Sequence, residues 1–354
     1  METPALQGVT VPEGADAVFE GGGVKGIALA GAVAAAEEAG VRVWKNVAGT
    51  SAGAIVACLI AVGYDGKGLK KILDDVVYNR FADYGLLGKA QGWLWNQFRM
   101  RGLAPGSFFS RWLADRIRES PLAQELGKDE LAFADVARDD LPDNLAPADR
   151  ERALYRFRVI GSEITSGKML VLPQGIEGYY REDKTPYSAE DLTLVEAVRM
   201  SMSYPFLYAP HVLYDKQENP HYVVDGGLLS NFPVWLFDRR DGKPSVRPTW
   251  AFRLHGGGRD EPAEPYRPIG MPFWRLALAR AMFSAATGAW DERNVTEAAS
   301  VRTINIPTFE INTVDFNLTR ENGERLYRSG VESTNRFFVR PETRKYLEQF
   351  QKPT

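Results

Sequence analysis

The sequence predicts an α/β protein built on a mostly parallel sheet with helices on both faces, and three observations carry that expectation. An apolar run at 41–47 leads through Gly49-Thr50-Ser51-Ala52-Gly53 into a helix-forming apolar run at 52–62. A shorter run at 16–20 leads through a glycine loop, 21–26, into a helix-like stretch at 27–39. Further strand-like segments at 156–164, 168–172, 221–224, 249–254 and 302–306 alternate with helix-like ones, the pattern of parallel strands joined by covering helices. With 354 residues and 44% hydrophobic content the chain can bury a sizeable core. Length alone suggests about two domains, but α/β folds often exceed that rule. A single domain over 1–354 is expected, its core at about 15–340.

The first element is the strand 16–20 with its loop Gly21-Gly22-Gly23-Val24-Lys25-Gly26. A glycine loop entering a helix lets several backbone N–H groups converge, and the positive end of the helix adds its field, so an anion is stabilised there. The hexapeptide satisfies G-x-G-x-x-G, which makes a dinucleotide pyrophosphate one candidate. Such a site also wants an acidic residue near the end of the second strand, whereas Val43-Trp44-Lys45-Asn46-Val47-Ala48 ends in none. A Walker loop needs Lys after Gly26, where Ile27 stands. The remaining reading is an oxyanion hole in which amides of Gly21, Gly22, Gly23, Val24, Lys25 and Gly26 face a tetrahedral acyl intermediate. Lys25 could add positive charge, although a solvated side chain is the commoner role of a lysine.

The second element is a nucleophile elbow, a tight strand-to-helix turn that holds its central serine at the edge of the sheet. Ser51 is the candidate nucleophile, and Gly49 and Gly53 flank it because a Cβ at either place would meet neighbouring backbone. A serine needs a proton acceptor. The chain offers only His211, His221 and His255, none in a recognisable catalytic setting. The stronger candidate is Asp225 in Tyr222-Val223-Val224-Asp225-Gly226-Gly227, a carboxylate at a strand terminus with Gly226 and Gly227 making the turn. Asp-Gly-Gly alone is equally a turn signal. The order Ser51, Asp225, His255 matches an α/β-hydrolase triad on paper, but His255 stands before Gly256-Gly257-Gly258, an ordinary place for a strand-end histidine.

Between these elements, 139–152 is charged with prolines and reads as a surface loop. Two stretches combine aromatics with arginines: 84–103, with Trp93, Trp95, Phe98, Arg99 and Arg101, and 272–290, with Phe273, Trp274, Arg275, Arg280 and Met282. That composition suits a helix lying at a membrane interface or a lid over an acyl groove, and equally an amphipathic helix packed on the core. Lid or interface insertions are accordingly expected at 84–150 and 260–290. Residues 1–14 lack the basic start and apolar core of a secretory signal, and the apolar run after Ser51 is too short to span a bilayer. A cytoplasmic protein, in transient peripheral contact with membrane, is the expectation. The single cysteine, Cys58, cannot form an internal disulfide and reads as an inert core thiol. A net charge of −3 gives no general attraction to nucleic acid or anionic lipid. No Asp, His and Glu cluster has metal-ligand spacing, so neither metal nor cofactor is expected.

Three motifs, intact and in order, give the chain a resemblance to patatin-like phospholipases: G-G-G-x-K/R-G at 21–26, G-x-S-x-G at 49–53 and D-G-G/A at 225–227. A looser match at 197–206, ending Ser201-Met202-Ser203-Tyr204-Pro205-Phe206, resembles the family's Ser-x-x-x-Pro-x-Phe segment lining the active site. The stretch 316–337, with Leu326-Tyr327-Arg328-Ser329-Gly330, is similar to its closing helix. Glu20 stands where many members carry Asp, a departure that removes no backbone donor. The resemblance implies a three-layer α/β/α fold, a lipid or phospholipid substrate, and a dyad of Ser51 and Asp225 working through an acyl-enzyme without histidine.

Overall fold

The computed structural model of the protein describes residues 11–76, 80, 106–141, 145, 147–205, 207–239, 245–256, 297–311, 313 and 317–350. Among them one sheet of eight strands is formed by β1 (Gly14–Phe19), β2 (Val43–Gly49), β3 (Phe157–Glu163), β4 (Lys168–Leu172), β5 (His211–Tyr214), β6 (Pro220–Asp225), β7 (Thr249–His255) and β8 (Thr303–Pro307). Their order is β5-β6-β3-β2-β1-β7-β8, with β4 also paired to β3. Strands β3, β2, β1, β7 and β8 run parallel, whereas β4, β5 and β6 add an antiparallel part. The parallel core matches the sequence expectation. Residues 15–19 of β1 and all of β3 are buried, as strands covered on both faces must be.

Helix α1 (Gly26–Glu38) follows β1, and α2 (Ala52–Ala61) and α3 (Gly66–Asp74) follow β2. Alanine and glycine dominate α1, and residues 26–36 are buried without a break, because the helix lies between the sheet and the long helix Arg320–Phe338. Their backbones touch: a Cβ on Gly330 would stand 2.0 Å from the Ala28 carbonyl oxygen. At the far side Trp250 packs edge-on against Phe337, Phe338 and Tyr346.

One sequence expectation needs correction. The charged stretch 139–152 contains the helix Pro147–Ala153, whose proline occupies the first turn, where no N–H is needed. Within the insertion expected at 84–150, Phe109, Leu113, Ile117, Ala123, Phe133 and Val136 are buried in the main cluster. The aromatic and arginine stretches 84–103 and 272–290 lie outside the described residues.

Strand β3 sets the geometry of the site. Val159 pairs with Gly49 of β2 and with Leu172 of β4, so those strands occupy opposite edges of β3. Gly161 pairs with Asp225 of β6 and with Leu170 of β4, which puts β6 and β4 on opposite edges as well. Strands β2 and β6 therefore share one edge. Because β2 is parallel and β6 antiparallel to β3, their C-terminal ends meet there, Gly49 facing Val159 and Asp225 facing Gly161.

Candidate active site

Close backbone packing forms the elbow. A Cβ on Gly49 would stand 2.2 Å from the Gly53 carbonyl oxygen, and one on Gly53 would stand 2.3 Å from that of Phe19. Between them Ser51 adopts φ 53° and ψ −123°, a region that costs a non-glycine residue on the order of 1–3 kcal/mol. Surrounding bonds hold it there. Thr50 Oγ1 donates to the Ser230 carbonyl at 2.9 Å, and the Ser51 N–H donates to Ser201 Oγ at 2.9 Å.

Ser51 Oγ donates to Asp225 Oδ2 at 2.7 Å, and Asp225 Oδ1 accepts from the Gly227 N–H at 2.8 Å. The carboxyl is 2% exposed. Burial pushes its pKa up to about 7, against the opposing pull of the bonds from Ser51 and Gly227. A carboxyl that is half ionised near neutrality can both take and return a proton.

The glycine loop lies against this pair. The Gly21 N–H donates to the Asn231 carbonyl, Asn231 Nδ2 donates back to the Gly21 carbonyl, and a Cβ on Gly21 would stand 3.2 Å from Ser51 Cβ. The amide of Val24 donates to Thr313, that of Lys25 to Gly22, and that of Gly26 to Gly23. The amides of Gly22 and Gly23 donate to no carbonyl among the described residues. Gly23 sits at φ 56°, and a Cβ there would stand 2.0 Å from the Thr313 oxygen, so no other residue fits. Lys25 is half-buried, and burial lowers its pKa against the attraction of Glu20. Glu20 itself accepts from the Leu254 N–H, tying the loop's base to β7.

None of the histidines joins the pair. His211 is 3.3 Å from both Glu196 and the Tyr187 hydroxyl, and His221 is 3.4 Å from Glu163 and 3.7 Å from Asp215. His255 is exposed at the end of β7, where its carbonyl accepts from Thr308. Ser51 and Asp225 contact each other directly, with no imidazole between them. Cys58 is fully buried and its thiol is pushed above the usual range by that burial. Among the described residues no group of three His, Cys, Asp or Glu side chains is placed to hold a metal ion.

The segment 199–203, known from sequence only as a looser match, makes three contacts with the pair. Besides the bond to Ser201 Oγ, Met202 Sδ lies 3.5 Å from Ser51 Oγ, and the Ser203 carbonyl accepts from the Asp225 N–H at 2.9 Å. On its other side a cavity of about 630 Å³ is bordered by Arg181, Glu196, Arg199 and His211; neither Ser51 nor Asp225 lines it.

The patatin-like phospholipase family model matches residues 17–238, a span that contains the glycine loop, the elbow and the aspartate turn. The uncharacterized protein YqhO of Bacillus subtilis (strain 168) is 34% identical over 326 residues, 91% of this chain and 97% of its own length. The uncharacterized protein R571 of Acanthamoeba polyphaga mimivirus is 22% identical over 330 residues, 91% of this chain and 93% of its own. Among solved structures, VipD from Legionella pneumophila shares the fold, with a TM-score of 0.52 at 19% identity over 92% of this chain and 67% of VipD. With more than half of its length inside the family model, and its elbow and aspartate turn brought together along β3, the chain belongs to the patatin-like phospholipase family of lipid hydrolases.

Proposed function

We propose that the protein is a phospholipase A-type lipid acyl hydrolase that cleaves carboxylic esters of phospholipids or related lipids with Ser51 as nucleophile and Asp225 as its base. The observation that carries this reading is the direct 2.7 Å bond between Ser51 Oγ and a buried carboxyl whose pKa is raised to about 7. An ordinary aspartate, with a pKa of about 4, is a poor acceptor for a serine proton at neutral pH. The raised value brings donor and acceptor closer.

As Ser51 Oγ attacks the ester carbonyl carbon, Asp225 takes its proton and the carbonyl π electrons move onto oxygen. The amides of Gly22 and Gly23, which donate to no carbonyl among the described residues, receive that oxyanion, a role for which backbone donors at the start of a helix are suited. Collapse breaks the bond to the leaving alcohol, which takes the proton from Asp225. Water then attacks the acyl-enzyme, giving one proton to Asp225; collapse breaks the acyl bond to Ser51 Oγ, which takes that proton back from Asp225 as the fatty acid leaves. The chemistry uses only this chain's own groups. The aromatic and arginine stretches at 84–103 and 272–290 are proposed to meet the lipid surface from the cytoplasmic side.

The test is fatty-acid release from a phospholipid panel by purified protein, with Ser51→Ala alongside. Release by the wild type alone is expected. Turnover that survives in folded Ser51→Ala would remove the nucleophile, and a wild type inert towards every phospholipid but active on soluble esters would remove the lipid substrate.

A further inference from the structure

We propose that segment 199–203 is a positioning device for both halves of the dyad, with Ser201 orienting Ser51 and Arg199 acting through Ser203 on Asp225. The inference rests on the Ser51 and Asp225 reading and adds to it. Ser51 and Asp225 come from different strands and are joined by no covalent frame closer than the sheet. Both are nevertheless gripped by residues two apart in sequence: Ser201 Oγ accepts the Ser51 N–H, and the Ser203 carbonyl accepts the Asp225 N–H, each at 2.9 Å. The strained backbone at Ser51 would otherwise relax, carrying Oγ away from the carboxyl.

The helix Leu194–Ser201 supplies the rigidity. Thr193 caps it by accepting from the Glu196 N–H, and Leu194, Ala197, Val198 and Met200 are buried in the core, so its last residue has a fixed place. Ser201 and Ser203 are both fully buried. Just past the helix, Ser203 Oγ donates to the Arg199 carbonyl and accepts from Arg199 Nη1 at 2.6 Å. Arg199 Nη2 meanwhile donates to the Ala209 carbonyl at 3.0 Å, pinning both sides of the turn, and Gly106 packs so close that a Cβ there would reach the guanidinium. One consequence concerns the oxyanion. Since Ser201 occupies the Ser51 amide, that donor is not available to a reaction intermediate, and the glycine loop must supply the donors instead.

Removing Ser201 Oγ leaves the buried Ser51 N–H without an acceptor, a loss that should appear in the geometry of Ser51 rather than in substrate binding. The measurements are kcat and KM on a short-chain p-nitrophenyl ester, normalised to active sites titrated with a fluorophosphonate, together with the second-order rate of fluorophosphonate inactivation. For Ser201→Ala we expect kcat per titrated site and the inactivation rate to fall by about tenfold or more, with KM within about twofold, and Ser201→Thr, which keeps an acceptor, to recover most of both. Arg199→Lys cannot hold Ser203 and Ala209 together and should lower kcat by several-fold in a chain that still folds. A merely structural role would instead lower the melting temperature or the titratable fraction while leaving kcat per site unchanged. That outcome in Ser201→Ala and Arg199→Lys overturns the proposal; if Ser201→Ala does not fold, Arg199→Lys and Ser201→Thr decide it alone. An active Ser51→Ala control would show that the dyad itself was misassigned.

Discussion

Two buried aspartates on the same sheet face different partners, and that difference underlies the different roles proposed for them. Asp16, near the start of β1, is 5% exposed, and burial raises its pKa to about 6. Its Oδ1 accepts from the Asn46 backbone N–H at 3.1 Å and from Asn46 Nδ2 at 2.8 Å, and Arg247 stands 3.6 Å away. Asp225, at the end of β6, is 2% exposed and is raised to about 7, yet its partners are one hydroxyl and one amide. Amides and guanidinium groups do not give up protons at neutral pH, so Asp16 can only pair strands and hold arginines. A serine hydroxyl can. Burial raises both carboxyls; the group opposite is what singles out Asp225 as the proposed base.

The largest effect that separates them is on turnover. Ser51→Ala and Asp225→Asn should each lower kcat on the p-nitrophenyl ester by on the order of ten-thousandfold or more, the double variant no further, because the two residues act as a unit. Asp16→Asn should retain kcat within about threefold; a collapse matching that of Asp225→Asn would break the distinction. In the wild type, kcat should rise with pH through about 7 as Asp225 ionises, and a profile flat from pH 5 to 9 would exclude it as the base.

The next effect is on stability, and its sign follows from the direction of the shift. A carboxyl that holds its proton more tightly in the folded chain adds stability below its unfolded value near 4, and that increment is lost as pH rises through about 7. Asp225→Asn should therefore gain on the wild type by up to about 4 kcal/mol between pH 4 and pH 8, read as the change in their difference in urea unfolding. Asp16→Asn should show the same sign over a window ending near 6, with a gain of up to about 3 kcal/mol. A wild type whose stability rises with pH across both windows would contradict the burial of both groups. The smallest effect is expected for His255→Gln, with kcat within about twofold of the wild type, since the exposed imidazole lies outside the Ser51 and Asp225 contact.

The legible parts of this molecule were those in which local chemistry dictates local shape. Gly49 and Gly53 announce the elbow because backbone fills the space of their side chains, and β1 and β3 are marked by Ala17, Val18 and Phe19 and by Phe157, Val159 and Ile160, although each also buries charged residues, Asp16 in β1 and Arg158 and Glu163 in β3. Strand direction was less legible. Only residues 164–167 separate β3 from β4, too few for a parallel crossover, so the hairpin could have been read from the loop length. Strand β5, four residues beginning with His211, carries too little pattern to stand out from a loop. The bond from the Ser51 amide to Ser201 spans 150 residues, and a serine at a helix end carries no local mark of what it will meet across the sheet.

The meeting of β2 and β6 along β3 also has a consequence in time. Asp225 lies 174 residues beyond Ser51, so a growing chain completes the elbow long before its proposed proton acceptor has been synthesised. Pairing over such a separation forms late, after the local strand and helix contacts. On the proposed reading a newly made molecule therefore holds a poised but powerless serine until β6 docks at Gly161, and hydrolysis waits on that docking.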